Sequence, residues 1–325
     1  MRIRTVFLAL VLLAAPVCAG IYLAGSAAYR NPGPLAAEKI IYIPPGKSTL
    51  SIAENLASQS VFDDRDALIF KIAVRLSGAK LKAGEYAFEP GISIEGAVLL
   101  LQSGKTYQRK ITIPEGLMSF EIVALVNGAE TMTGEIKDIP PEGSLLPETY
   151  SYSHGDSRAN LMGRMQKAMN ETIGALWPLK EEGLPLQTPQ DAVTLASIVE
   201  KETGVETERA RVAGVFINRL RKGMSLQSDP TVIYALTMGK IKLERALTRN
   251  DLNTDSPYNT YKIGGLPPAP IANPGREALL AVLHPENNPY LYFVADGSGG
   301  HAFAATLDAH TRNVGKWRQI QKESR

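Results

Sequence analysis

A chain of 325 residues with 44% hydrophobic and 21% charged residues is long enough for about two globular domains, and disorder is not its default. Its net charge of +2 leaves no strongly basic footprint, which argues against nucleic acid as a partner. The only cysteine, Cys18, lies in the N-terminal apolar run, so neither a disulfide framework nor a thiolate zinc cluster is available.

Arg2 and Arg4 precede an uncharged stretch from Thr5 to Tyr29, which Arg30 closes. Roughly 20 apolar residues cross a bilayer core, whereas a secretory h-region needs only about 7–15, so the run reads as a retained membrane anchor. Cleavage after its small residues, Ala15 to Gly20, is the alternative. The leading arginines predict a cytoplasmic N-terminus at the inner membrane, with everything after residue 30 in the periplasm. Residues 31–38, Pro- and Gly-rich, read as a linker.

Residues 39–106 read as a small α+β module. Ile40–Ile43 has strand character and ends at Pro44-Pro45-Gly46. Ser48 caps a helix through Leu56. A second helix runs from Asp64 to Leu76, with Leu68, Ile72, Val74 and Leu76 as its apolar face. Lys82–Phe88 alternates like a strand, and Ser93 caps a helix through Gln102, stopped by Gly104. The strand–helix–helix–strand order resembles a LysM-like glycan-binding module; a plain α+β spacer is the other reading.

Residues 107–325 read as a larger mixed α+β domain. Gln108–Pro114 is a predicted strand, Phe120–Val126 a helix, Leu145–Tyr152 an extended loop and Asn160–Leu176 a helix. Helices near 189–203 and 207–222 follow. Beyond them the chain is Pro- and Gly-rich, with a short helix at Ala278–Leu283 and a strand at Tyr290–Ala295.

The helix from Pro189 has well-marked ends: Thr188 as N-cap, Pro189 in the first turn, Asp191 near the positive end of the dipole, and Gly204 as the stop. Ala192, Leu195, Ala196 and Val199 form one apolar face. Glu202 falls within that arc, between Leu195 and Ile198, where poor solvation of its charged form raises its pKa, as a general acid requires. Glu200 lies about 160° away around the axis, so the two cannot make one two-carboxylate site. On periodicity alone, a solvated charged face is the more usual setting for Glu-Lys-Glu on a helix.

The run Ala196-Ser197-Ile198-Val199-Glu200-Lys201-Glu202-Thr203, then Val215 to Tyr234 (with Asn218, Arg219 and Gln227-Ser228-Asp229-Pro230), resembles the MltG (YceG-like) endolytic murein transglycosylases. The resemblance continues through Ser256-Pro257-Tyr258-Asn259-Thr260-Tyr261, Gly265 to Gly275, Tyr290 to Gly297, and Gly300-His301-Ala302-Phe303. Pro114-Glu115-Gly116 and Leu146-Pro147-Glu148-Thr149-Tyr150 also fit, although the family more often has Asp at position 148.

That resemblance implies a cut of the β-1,4 bond between N-acetylmuramic acid and N-acetylglucosamine, giving 1,6-anhydromuramic ends and terminating nascent glycan strands. It assigns Glu202, not Glu200, as the catalytic residue. It calls for no metal or other cofactor, and it suggests proximity to peptidoglycan synthases. Gln227, Ser228, Asp229, Tyr258, Asn259, Thr260 and Tyr261, with Glu148 and Tyr150, are candidate glycan contacts. Turn-forming and capping roles are the alternative for each. Glu200 and Asn218 are candidate supporting residues; His301 reads first as structural, with a substrate contact as the alternative. The other functional classes are a non-catalytic murein-binding scaffold and a hydrolytic muramidase.

Overall fold

The computed structural model describes the backbone of residues 2–323 and side-chain surroundings from Ala14 onward. The chain is α+β, with short strands in three two-stranded sheets among the described residues. It divides into two compact units. One runs to Arg109 and takes in Tyr152–Gly155; the other holds Lys110–Ser151 and the chain from Asp156.

The first unit contains α1 (Arg2–Arg30), β1 (Lys39–Ile43), α2 (Thr49–Ser58), α3 (Asp64–Ser77), β2 (Gly84–Phe88) and α4 (Ile94–Ser103). β1 and β2 pair antiparallel, with Lys39 opposite Phe88 and Ile41 opposite Tyr86. Strand alternation therefore sends Ile41, Ile43, Tyr86 and Phe88 to one face, where they pack with Leu56, Phe70, Val98 and Leu101. Ser48 and Ser93 cap α2 and α4, accepting from the N–H groups of Ser51 and Gly96 at 3.1 Å each. The stop of α4 requires φ of +72° at Gly104, a conformation glycine takes without a Cβ penalty.

Two expectations in this unit need revision, and a third falls partly outside the described residues. The buried face of α3 is Ala67, Phe70 and Val74, whereas Leu68, Ile72 and Leu76 are exposed. The bulky Phe70 and its i±3/4 neighbours set the phase of the helix, and counting leucines misplaced it. Residues 31–38 are not a free spacer. Leu35 is buried in the first core, and Gly33 N–H reaches the carbonyls of Gly91 and Ile92 at 3.2 Å. The expected membrane span overlaps α1, but the side chains from Thr5 to Leu13 lie outside the described residues. Among the described residues, no helix is long and apolar enough to cross a membrane.

The second unit contains β3 (Arg109–Thr112, except its first residue), α5 (Ser119–Gly128), β4 (Thr149–Tyr152, except its last residue), α6 (Arg158–Leu176) and α7 (Pro189–Glu202). It continues with α8 (Arg209–Arg221), α9 (Asp229–Thr237), α10 (Arg276–Leu283), β5 (Tyr292–Ala295), β6 (His301–Ala304) and α11 (Leu307–Glu323). At its centre stands α7, where every side chain from Ala192 to Val199 is buried against α6, α8, α9 and α10. The one-sided face expected from its pattern is thus closed over on all sides. Even the small polar Thr194 and Ser197 are accommodated, because Ser197 Oγ donates to the Thr194 carbonyl and accepts from Ile271 N–H. Each fully buried Leu or Ile on α7 contributes about 1.5–3 kcal/mol, which fixes the helix as the frame for its last turn.

The start of α7 is a capping box. Thr188 Oγ1 accepts from Asp191 N–H, and the Asp191 carboxylate accepts from the N–H groups of Thr188 and Gln187. The helix stops at Glu202 because Thr203 turns extended (φ −139°, ψ 127°), one residue before the glycine expected to end it.

Candidate active site

Glu202 occupies the last turn of α7 and lines a cleft of about 480 Å³. One wall is built from two loop segments joined by hydroxyl groups. Ser228, at the N-cap of α9, donates its Oγ hydrogen to Glu202 Oε1 at 2.5 Å. Its own N–H donates to Thr260 Oγ1 at 3.0 Å, and its carbonyl accepts from Thr231 Oγ1 at 2.6 Å. The Thr231 and Thr260 hydroxyls lie 2.8 Å apart, and all three residues are buried. Ser228 is therefore fixed on every side before it meets Glu202.

At the rim, Gln227 sits at φ +52°, a left-handed conformation that costs a non-glycine residue about 1–2 kcal/mol. Its N–H donates to the Thr260 carbonyl at 3.1 Å, and the side chain lines the cleft. Asp229 also faces the cleft and accepts from Tyr261 Oη at 2.7 Å. Burial and this hydrogen bond hold the Tyr261 phenol well above its usual range.

The opposite wall comes from β5, β6 and α11: Tyr292, Phe293, Val294, Ala295, His301, Leu307, His310 and Val314. Arg219 of α8 closes the floor. Its Nε donates to the Leu291 carbonyl at 2.6 Å and its Nη1 to the Leu226 carbonyl at 2.8 Å. The guanidinium also lies 5.2 Å from the Tyr292 ring centre, so one arginine ties both walls to α8. Asn218 acts beside it, donating to the carbonyls of Asn288 and Tyr290. His301 is held by Glu208, whose carboxylate meets its Nδ1 at 2.8 Å and its backbone N–H at 3.1 Å.

Burial pushes the Glu202 carboxyl up to about 7. The Ser228 hydrogen bond opposes that rise and the Asp229 charge reinforces it, while His301 and Arg219 pull downward. A carboxyl poised there is protonated in a substantial fraction near neutral pH and gives or takes a proton readily.

Glu200 has a different setting two residues away. Its side chain is 5% exposed, pairs with Arg209 at 3.4 Å and accepts the Gly275 N–H at 2.9 Å. A Cβ at Gly275 would overlap the Glu115 carboxylate that also pairs with Arg209, so a larger residue there would push that side chain aside. Glu200 thus ties α7 to the segment before α10 and does not line the cleft.

Of the sequence candidates, Glu202, Gln227, Ser228, Asp229, Thr260 and Tyr261 are brought together, Ser228 and Thr260 from beneath the surface. Others take structural places. Tyr150 donates its hydroxyl to the Leu146 carbonyl, and Glu148 is exposed, with its carbonyl accepting from Ile113 N–H. Asn259 is buried and spends its amide on the carbonyls of Leu252 and Thr254, while Tyr258 packs on Tyr234 at 4.7 Å. These four do not line the cleft.

Three elements of the site escaped the sequence reading. α9 was hidden by Pro230, which suits a first helical turn but reads as a breaker; Ser-Asp-Pro is its start signal. β6 follows the Gly-Ser-Gly-Gly turn at 297–300. α11, with Leu307, His310 and Val314 on the cleft, has no buried residue, although Leu307, Val314, Trp317 and Ile320 recur at helical spacing and are the signal that could have found it. Among the described residues, no group of three or more His, Cys, Asp or Glu could hold a metal ion.

The sequence profile of the YceG-like family matches residues 41–316. The endolytic murein transglycosylase of Bacillus subtilis (strain 168) is 34% identical, over 87% of this chain and 86% of that protein. The protein of the same name from Streptococcus pneumoniae serotype 2 (strain D39) is 30% identical over 84% of this chain, which spans 57% of its length. A crystal structure of a YceG-like protein from Listeria monocytogenes superposes with a TM-score of 0.52 at 32% identity, covering 85% of this chain and 99% of that one.

Proposed function

The chain belongs to the YceG-like family and is a lytic transglycosylase acting on peptidoglycan, and we propose that Glu202 is the single carboxyl that carries its reaction. The observation that supports this most is a carboxyl poised near 7 on the wall of an open cleft, held by one rigid hydroxyl donor. Protonated Glu202 gives its proton to the glycosidic oxygen as the muramic C1–O bond breaks through an oxocarbenium-like state. The carboxylate left behind takes the proton of the muramic C6 hydroxyl, whose oxygen bonds to C1. No water is consumed, the 1,6-anhydro ring forms, and Glu202 ends protonated as it began.

Ser228 restrains the rotamer of Glu202 and stabilises the carboxylate at mid-reaction, since a hydrogen bond to a charged acceptor is about twice as strong as a neutral one. Gln227, Asp229 and Tyr261 serve as glycan contacts at the rim, and strand termination is the cellular task. Asp229 favours one competing reading: it is a second cleft carboxylate, of the kind a hydrolytic muramidase would use to direct water.

Digestion of purified sacculi followed by mass spectrometry separates the two. Anhydro-ended muropeptides lost in Glu202→Gln support the proposal. Reducing ends indicate hydrolysis, and anhydro products persisting in Glu202→Gln overturn the assignment.

The order β1-α2-α3-β2, with its strands paired antiparallel, supports reading the first unit as a LysM-like glycan-binding module. The uncharged run from Thr5 to Tyr29 behind two arginines supports a single inner-membrane anchor, with the cleft on the periplasmic side and within reach of peptidoglycan synthases. Protease accessibility of the second unit in spheroplasts and in inverted vesicles checks that topology.

A further inference from the structure

The apolar stripe that α3 leaves uncovered has a shape and a charge of its own. Leu68, Ile72 and Leu76 recur every four residues on the side opposite Phe70, with 60%, 47% and 83% of their surface exposed. Next to them Ile69 and Ala73 face the C-terminal half of α1. There α3 and α1 enclose an open groove of about 650 Å³, lined almost wholly by apolar atoms and also by Ile21, Tyr22 and Tyr29. Soluble surfaces rarely leave a continuous apolar patch of this kind without an occupant.

The other edge of the stripe has Glu54 and Asp64 beside Leu68 at its start and is basic from there on. Lys71 and Arg75 fall three residues after Leu68 and Ile72, and Lys80 and Lys82 follow the helix, all of them exposed. No acidic residue occurs between Asp66 and Glu85. A helix with an exposed apolar stripe, a basic flank and a second apolar helix alongside has the composition of a segment lying in a membrane interface.

We infer that α3 and the α1–α3 groove form a lipid-docking surface that seats the first unit on a bilayer containing anionic phospholipid. Leu68, Ile72 and Leu76 enter the acyl boundary, an acyl chain occupies the groove beside α1, and Lys71, Arg75 and Lys80 lie among the headgroup phosphates. Each cation near such a surface strengthens attachment by about fivefold. The inference rests on the proposed insertion of α1, because the groove continues along that helix. Its consequence is that the first unit lies against the membrane instead of swinging free on a tether.

The test uses the full chain in proteoliposomes, with Cys18→Ser and one reporter cysteine carrying an environment-sensitive fluorophore. Leu76→Cys reports docking and Val17→Cys reports insertion; both positions are exposed on helix surfaces, so neither label disturbs a core. The expected result is a blue-shifted Leu76 label, quenched by brominated acyl chains in vesicles of phosphatidylcholine and phosphatidylglycerol. That quenching falls in phosphatidylcholine alone and in Lys71→Ser/Arg75→Ser/Lys80→Ser. A Leu76 label that stays aqueous while the Val17 label is quenched overturns docking and leaves the anchor standing. Two aqueous labels overturn both. A blue shift without quenching reveals a protein on the stripe, such as a second copy, and overturns the lipid assignment. Quenching indifferent to headgroup charge overturns the role of the cations.

Discussion

The second unit holds two carboxyls that burial pushes up to the same value, about 7, and their surroundings differ in kind. Glu142 is enclosed by donors: Ser119 N–H at 2.9 Å, Ser119 Oγ at 3.1 Å and Asn273 Nδ2 at 3.2 Å, all on Oε2. Asn273 in turn receives Leu145 N–H and donates to the Leu117 carbonyl, so Glu142 is one knot in a net binding α5 to the segment before α10. Glu202 has one side-chain donor and an open cleft. A raised pKa is therefore not a mark of catalysis in itself. It reports burial, and only where a substrate can reach the proton does the same physics become chemistry.

Paired substitutions would break that comparison most sharply. Glu202→Gln keeps the shape and the hydrogen bond but removes the transferable proton. Its kcat on isolated glycan strands should fall by about 10²- to 10⁴-fold with the melting temperature held or raised. Glu142→Gln should do the reverse, leaving kcat within about a factor of two while changing the melting temperature, since no substrate meets it. Equal losses of kcat in the two variants would dissolve the distinction.

Next in size is the tuning of Glu202 by its neighbours. The Ser228 hydrogen bond lowers its pKa and the Asp229 charge raises it, so the two substitutions should move the pH profile in opposite directions. Activity that needs the protonated acid falls as pH rises through about 7. Ser228→Ala should shift that descending limb to higher pH and reduce kcat by about 10- to 100-fold, through the lost charge-assisted bond. Asp229→Asn should shift the limb lower. Limbs that stay in place would mean that another group sets them.

The two carboxyls should behave alike in one respect, stability against pH. Each has a folded pKa raised from 4.5 to about 7, so each binds its proton more tightly in the folded chain than in the unfolded one. Their contribution is then full below about 4.5 and is lost as pH rises through about 7. Thermal melts across that window should decline, and Glu142→Gln and Glu202→Gln should each remove part of the slope. A slope unchanged in both variants would show that neither carboxyl is buried in solution as it is here.

How much of this was legible in the sequence depended on which force wrote each part. Caps and stops at Ser48, Ser93, Thr188 and Gly104 could be read because a local hydrogen bond or a backbone conformation dictates them within four residues. Glu202 could be placed against apolar neighbours because helical periodicity is local too. The choice between it and Glu200 was not local. It depends on Arg209 and the Gly275 N–H filling one side of the helix and on a cleft opening on the other. Asn259 and Thr260 show the same limit: adjacent polar residues in one loop, both fully buried, knot different segments through contacts that no spacing rule reveals. α11 shows a weaker case: Leu307, Val314, Trp317 and Ile320 give it helical periodicity, but with only a few apolar positions among charged ones, because it serves the cleft without joining a core.

The smallest predicted effect probes the rim, where stability and function part company. Gln227 holds φ +52° with its side chain in the cleft, and the turn it makes delivers Ser228 to Glu202. Glycine adopts that φ without penalty, so Gln227→Gly should relieve strain and stabilise the fold by up to about 1 kcal/mol, less whatever it costs to order a more flexible unfolded chain. If the side chain is there for the glycan, KM should rise by a few-fold while kcat holds, because Ser228 keeps its Thr231 and Thr260 partners. Gln227→Asn, which also tolerates the left-handed region, should fall between the two. A stabilised variant with unchanged KM would instead leave the strain unexplained by substrate contact, and the rim would then serve only to aim Ser228 at its carboxyl.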